Sequence, residues 1–142
     1  MEKNILALDL GKGSLGMAIS RSGMFSTPLT NLRFKATHYE EAILGIKNVL
    51  SIEKVEHFVI GYPTFPSGDP CEMTPIVEAF ILMLNREFPN IPVTKVDERN
   101  STVEAASMFH EIGESSKKQK HHIDSGAAQI ILERYLKQIG QL

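Results

Sequence analysis

A chain of 142 residues, 42% hydrophobic and 23% charged, has the balance of one folded domain, which excludes fibrous and disordered classes. Its net charge of −2 excludes a global positive field for nucleic acid, so any such binding must be local. No segment approaches the ~20 apolar residues of a membrane span, and the opening "MEKNILALDLG" does not read as a cleaved signal, so a cytoplasmic location is expected.

In chain order, Ile5 to Leu10 and Ser14 to Ser20 are apolar runs separated by Gly11 and Gly13, which predicts an antiparallel hairpin. A third strand is expected within Met24 to Phe34, with Pro28 marking part of it as an edge or an irregular segment. Ala42, Ile43, Ile46, Val49 and Leu50 follow a helical stripe and predict a helix over Tyr39 to Leu50, despite Gly45. "VEHFVIGYP" returns to strand character and ends at Gly61 and Pro63; "YPTFPSGDPCEM" then reads as a proline-punctuated loop. The single cysteine, Cys71, falls in this loop with no disulfide partner and no zinc spacing, as expected of an inert free thiol.

Thr74 and Pro75 predict the start of the next helix, a capping hydroxyl followed by a proline in the first turn. The helix "PIVEAFILMLNREF" is apolar on most of its circumference, which implies deep cover or a second subunit and leaves both a monomer and a homodimer open. "IPVTKVDER" is a fifth strand, and Ser101 with Glu104 has capping-box spacing, predicting a helix from Thr102 to Ile112. The basic run "SSKKQKHH", Ser115 to His122, reads as a loop before a last helix from Asp124 to Ile139. Three hairpin-linked strands followed by alternating helices and strands define an α/β fold over residues 1–142, a mixed sheet with helices on its faces.

Several acids stand where apolar residues are expected. Asp9 ends the first strand, Asp97 and Glu98 end the fifth, and Asp124 extends the stripe Ala128, Ile131 and Tyr135 of the last helix. Strand-end side chains of α/β sheets gather along the edge where ligands bind. Three carboxylates there supply the hard oxygen ligands that Mg²⁺ or Mn²⁺ requires, and two such ions activate water and stabilise the leaving oxygen of a phosphodiester. Lys117, Lys118 and Lys120 would then meet a nucleic-acid backbone beside the site, and Lys12 is a further candidate for phosphate. Each acid also has an ordinary role available: Asp124 capping its own helix, Asp97 pairing with Arg99. His121 and His122 are candidates for proton transfer but fit an inert polar loop better.

Four stretches, in order, resemble the YqgF/RuvX family of Holliday-junction-resolvase-like pre-16S rRNA nucleases: "ALDLGKGSLGMAIS", "VIGYPTFPSGDP", "VDERNSTVEA" and "HIDSGAAQIILERYL". The resemblance implies an RNase H-like fold with a five-stranded mixed sheet and helices on both faces. It implies Asp9, an acid of the Asp97–Glu98 pair with Glu98 favoured, and Asp124 as metal-binding catalytic carboxylates. Arg99 would contact substrate or orient these acids. The implied substrate is structured nucleic acid, pre-16S rRNA or branched DNA, and small-subunit ribosomal precursors are the implied partners.

The chain departs from the family pattern at Ser14, where arginine is usual, and at Asn100 and Ser101, where leucine and threonine are usual. Serine cannot hold a phosphate through paired hydrogen bonds as arginine does. A binding or assembly module without catalysis is therefore a competing reading, with Tyr62 and Phe65 available to stack on bases. "DLGKGSLGMAI" also resembles the first phosphate-binding hairpin of the actin and sugar-kinase superfamily, but the chain has room for only one such domain.

Overall fold

The computed structural model describes residues 4–23, 25–97 and 116–140, and of residues 116–125 the backbone alone. The elements run β1 (Ile5–Leu10), β2 (Ser14–Ser20), β3 (Thr27–Arg33), α1 (Tyr39–Leu50), β4 (His57–Tyr62), α2 (Met73–Glu87), β5 (Val93–Asp97) and α3 (Ser116–Gln138). They build one five-stranded sheet in the order β3-β2-β1-β4-β5. The β1–β2 and β2–β3 pairs are antiparallel, whereas β1–β4 and β4–β5 are parallel. The β2–β3 pairing bears the expected irregularity, a register shift between Gly16 and Ala18 of β2, which pair with Asn31 and Pro28 of β3. The helix expected over residues 102–112 lies outside the described residues.

Strand alternation divides the core in two. Leu6, Leu8, Phe58 and Ile60 face α1 and α2, packing on Ile43, Ile46, Val77, Phe80 and Leu84. Ile5, Ala7, Ala18, Val59 and Val96 face α3, packing on Ala128, Ile131, Leu132, Tyr135 and Leu136. Helices therefore cover both faces. α2 buries one side only, Thr74, Val77, Phe80 and Leu84, and leaves Leu82 exposed, so its wide apolar surface is not fully covered by its own sheet.

Two boundaries differ from the sequence expectation. α2 starts at Met73, and the Thr74 hydroxyl does not cap it: it donates to the Pro63 carbonyl at 2.6 Å and accepts the Cys71 N–H at 2.8 Å, tying the loop to the helix. α3 spans Ser116–Gln138, so the basic run from Ser116 onward is helix rather than loop. Lysine and glutamine are good helix formers, and no glycine or proline interrupts residues 116–125. Asp124 accordingly lies inside a continuous helix and is not its N-cap.

Candidate active site

Parallel pairing of β1, β4 and β5 aligns their C-terminal ends along one sheet edge, where the chain leaves toward Lys12, Pro63 and residue 98. Asp9 is the half-buried member of an otherwise buried strand. Its place in the alternation, after Ile5 and Ala7, puts it on the α3 face. Its partner on β2 is Gly16, and on β4 the next rung after Leu8–Ile60 falls at Gly61. Glycine therefore stands directly opposite Asp9 on each neighbouring strand. These two glycines are site-forming positions that sequence reasoning missed; the signal available was glycine inside an apolar strand, which marks close approach of another group.

The turn after Asp9 is held by backbone contacts. Gly11 N–H donates to the Ser14 carbonyl at 2.8 Å, Phe34 N–H to the Gly13 carbonyl at 3.0 Å and Thr37 N–H to the Lys12 carbonyl at 2.9 Å. A β-carbon on Gly13 would stand 3.1 Å from the Phe34 carbonyl oxygen, a tight contact that favours glycine where the β3–α1 connection approaches. Thr37 takes a left-handed conformation, φ 71°, to make its contact. Lys12, a candidate for phosphate, forms an ion pair with Glu72 just before α2, both side chains being well exposed.

Asp97 ends β5 opposite Tyr62. Val96 packs on the α3 face, so Asp97 belongs to the other face, and it lines a cavity of about 350 Å³ with Tyr62, Thr64, Gly68 and Lys95. The structure thus does not bring Asp97 and Asp9 together: they occupy opposite faces, and their strands are separated by β4, roughly 10 Å between backbones. On the Asp97 side, Lys95 Nζ lies 2.7 Å from Glu78 Oε1 and 4.7 Å from the centre of the Tyr62 ring. A hydrogen bond from Lys95, joined by one from the Tyr62 hydroxyl, holds the Glu78 carboxyl below the usual range, and the Glu78 acceptor pushes the Tyr62 phenol up.

Glu98 and Arg99 lie outside the described residues. Position 124 is on the α3 backbone one turn ahead of the buried Ala128, and positions 117, 118 and 120 are on the first turns of the same helix. Among the described residues no three histidine, cysteine, aspartate or glutamate side chains gather into a cation site. A link that sequence reasoning missed joins the two elements: Arg134 of α3 donates from Nη1 to the Asp97 carbonyl at 2.8 Å.

A mixed sheet with a central acidic strand end and helices on both faces defines an RNase H-like α/β domain. The solved structure of Thermus thermophilus RuvC shares this fold, with a TM-score of 0.52 over 97% of each chain at 14% identity. Residues 3–138 match the model of the RuvX family, described as a Holliday junction resolvase, and the chain belongs to that family. A "Putative pre-16S rRNA nuclease" of Mesoplasma florum is 35% identical over 139 residues, covering 96% of this chain and 97% of the relative. A protein of the same name from Chlorobium phaeobacteroides is 36% identical over 141 residues, covering 97% and 94%.

Proposed function

We propose that this chain is a divalent-metal-dependent nuclease of structured nucleic acid that trims the 5′ end of precursor small-subunit ribosomal RNA. The observation that carries the reading is Asp9, a half-buried carboxylate at the C-terminal end of the central strand with glycine on both sides. Full-length similarity to relatives named pre-16S rRNA nucleases supplies the substrate class. Action on that substrate carries with it a cytoplasmic location and small-subunit precursors as partners; no helix among the described residues is long and apolar enough to cross a membrane.

Asp9, Glu98 and Asp124 would hold Mg²⁺ or Mn²⁺, an all-oxygen donor set of the kind these hard cations take. Strand alternation supports Glu98 over Asp97, because Val96 shares the face of Asp9 and Asp97 does not. When bound, the ion supplies Lewis-acid stabilisation of the phosphate and a more acidic water. The chain's own groups do the rest. Arg99, Lys117, Lys118 and Lys120 take the substrate backbone, and Lys12 joins them by exchanging Glu72 for a phosphate. Ser14, half-buried against Gly11 in the first turn, holds that turn by its backbone and leaves phosphate binding to the lysines.

The test is cleavage of a precursor small-subunit rRNA fragment and of a four-way DNA junction, side by side, with Mg²⁺ or Mn²⁺, by the unchanged chain, Asp9→Asn and Asp124→Asn. Metal-dependent cutting of the RNA that both substitutions abolish is the expected result. Cutting of the junction alone would favour the second reading, which the family's description as a Holliday junction resolvase supports. Tight binding with no cutting of either substrate would replace catalysis by an assembly role.

A further inference from the structure

We infer that the cavity between the ends of β4 and β5 and the loop after β4 is a ribonucleotide subsite, in which the Asp97 carboxylate accepts a hydrogen bond from a ribose 2′-hydroxyl of the substrate and so favours RNA over DNA. The inference rests on the proposed action on nucleic acid and on no metal ion. The cavity, about 350 Å³, is lined by Tyr62, Thr64, Gly68, Lys95 and Asp97. That volume lies in the range of small-molecule sites and suits one nucleotide. It opens at the C-terminal ends of parallel strands, where ligands of α/β sheets bind.

Named contacts hold each wall. Thr64 bridges to Pro70, and inside that loop Phe65 N–H donates to the Asp69 carbonyl at 2.9 Å and Gly68 N–H to the Phe65 carbonyl at 2.8 Å. The Thr74 hydroxyl ties Pro63, at the start of the loop, to α2. On the other side Glu78 of α2 accepts from Lys95 Nζ at 2.7 Å and from the Tyr62 hydroxyl, joining β5 to β4. These walls are set before any ligand arrives, which lowers the ordering cost of binding.

The chemistry of the lining selects the ligand. A carboxylate only accepts hydrogen bonds, and Asp97, with Glu78 on the far side of Lys95, repels a phosphate. The donors that a nucleic acid offers are base N–H groups and, in RNA alone, the ribose 2′-hydroxyl. A base splayed from its helix is held by stacking as well as by its edge. Here Lys95 Nζ covers one face of the Tyr62 ring, 4.7 Å from its centre, and the ring also packs against the apolar core, so it is committed to these contacts rather than to a base. A sugar edge needs no stacking, and it exposes its 2′-hydroxyl in duplex RNA as well as in single strands. The Thr64 hydroxyl, which both donates and accepts, serves the neighbouring sugar oxygens.

The experiment is anisotropy titration in EDTA of three labelled ligands: a precursor small-subunit rRNA fragment, the same fragment with its 2′-hydroxyls methylated, and its DNA counterpart. The proteins are the unchanged chain, Asp97→Ala and Asp97→Asn, each checked by thermal unfolding. Asp97→Ala is expected to bind the RNA about 10-fold more weakly, the size of one hydrogen bond to a charged group, and to bind the methylated RNA and the DNA as the unchanged chain does. Asp97→Asn, which keeps an acceptor without the charge, is expected to fall between. Unchanged RNA affinity in Asp97→Ala, or an equal loss on RNA and DNA, would overturn the subsite. Cleavage with Mn²⁺ by the unchanged chain and Asp9→Asn separates this failure from that of the nuclease reading. Cutting that Asp9→Asn abolishes, alongside unchanged RNA affinity in Asp97→Ala, leaves the nuclease standing without the subsite; an RNA-selective loss with no cutting leaves the subsite standing without the nuclease. Should Asp97→Ala not fold, Asp97→Asn decides by the same comparison of RNA with DNA.

Discussion

Gly45 sits in the middle of α1, where a helix ordinarily gains about 1 kcal/mol from alanine in place of glycine. Packing opposes that gain here. A β-carbon at Gly45 would clash with Leu32 Cδ2 of β3, with Cγ at 3.5 Å and Cδ1 at 3.8 Å behind it. Overpacking of this kind costs about 1–3 kcal/mol. The Leu32 methyl is the free end of a half-buried side chain, which gives way in part, so the cost falls near 2 kcal/mol and exceeds the propensity gain. Gly45→Ala should therefore lose about 1 kcal/mol in urea unfolding with an unchanged m-value, or about 3–4 °C in melting temperature.

A double-mutant cycle isolates the cause. Leu32→Ala alone costs about 2 kcal/mol, but in that background Gly45→Ala becomes stabilising by up to about 1 kcal/mol, a coupling near 2 kcal/mol. EDTA in every sample removes any stabilisation by bound ions. A rise in stability for Gly45→Ala in the unchanged background, or simple additivity of the two substitutions, would refute the argument that close approach of α1 to β3 requires glycine.

The remaining predictions concern charge. Asp9→Asn should bring metal-dependent cleavage to background while the unfolding midpoint in EDTA holds, measured by gel assay and urea titration. Glu72→Gln frees Lys12 from an exposed ion pair worth less than about 1 kcal/mol. Stability should then stay level while RNA affinity rises about 2- to 5-fold at low salt, a gain that disappears as salt screens it. Replacing Lys117, Lys118 and Lys120 together by glutamine should flatten the slope of log affinity against log salt by about 2–3, read by anisotropy titrations. Glu78, whose carboxyl lies below its ordinary range, contributes stability that is present above its unfolded pKa and lost as pH falls through the lower folded value. Glu78→Gln should be less stable than the unchanged chain near neutral pH, and the difference should shrink as urea midpoints are followed below about pH 4.5.

The architecture was legible because its signals are periodic and local. Ile5 to Leu10, Ser14 to Ser20 and Tyr39 to Leu50 fall where alternation and helical stripe put them. The start of α3 was not legible, because composition bias toward lysine and histidine reads as a loop although these residues tolerate helix. The role of Thr74 was missed for a similar reason: a serine or threonine before proline signals a cap, and only the tertiary position of Pro63 shows that this hydroxyl turns back to the loop. At the candidate site, Asp9 announces itself as an acid ending an apolar run. The opposite facing of Asp97 depends on which side of β5 meets α3, and that is a property of packing. Arg134 carries no sequence signal at all, since an arginine on a helix most often points to water.

Placement of charge along α3 connects fold to function. The apolar face of its later turns, Ala128, Ile131, Leu132, Tyr135 and Leu136, is buried against the sheet and holds the helix in place. Its first turn carries no acid, and positions 117, 118 and 120 are lysines. Cations at a helix N-terminus oppose the macrodipole, at roughly 0.3–1 kcal/mol each near the surface. Selection for helix stability alone would put aspartate or glutamate there. In the proposed function the same charges meet a need: three carboxylates with one divalent ion leave a net negative centre, which repels a phosphate backbone. The chain as a whole, at net −2, supplies no compensating field. Screening confines useful attraction to about 8 Å at physiological salt, so compensating lysines must stand close to the site and cannot be spread over the surface. A helix anchored by its apolar later turns tolerates that local cost, and a bound polyanion removes it.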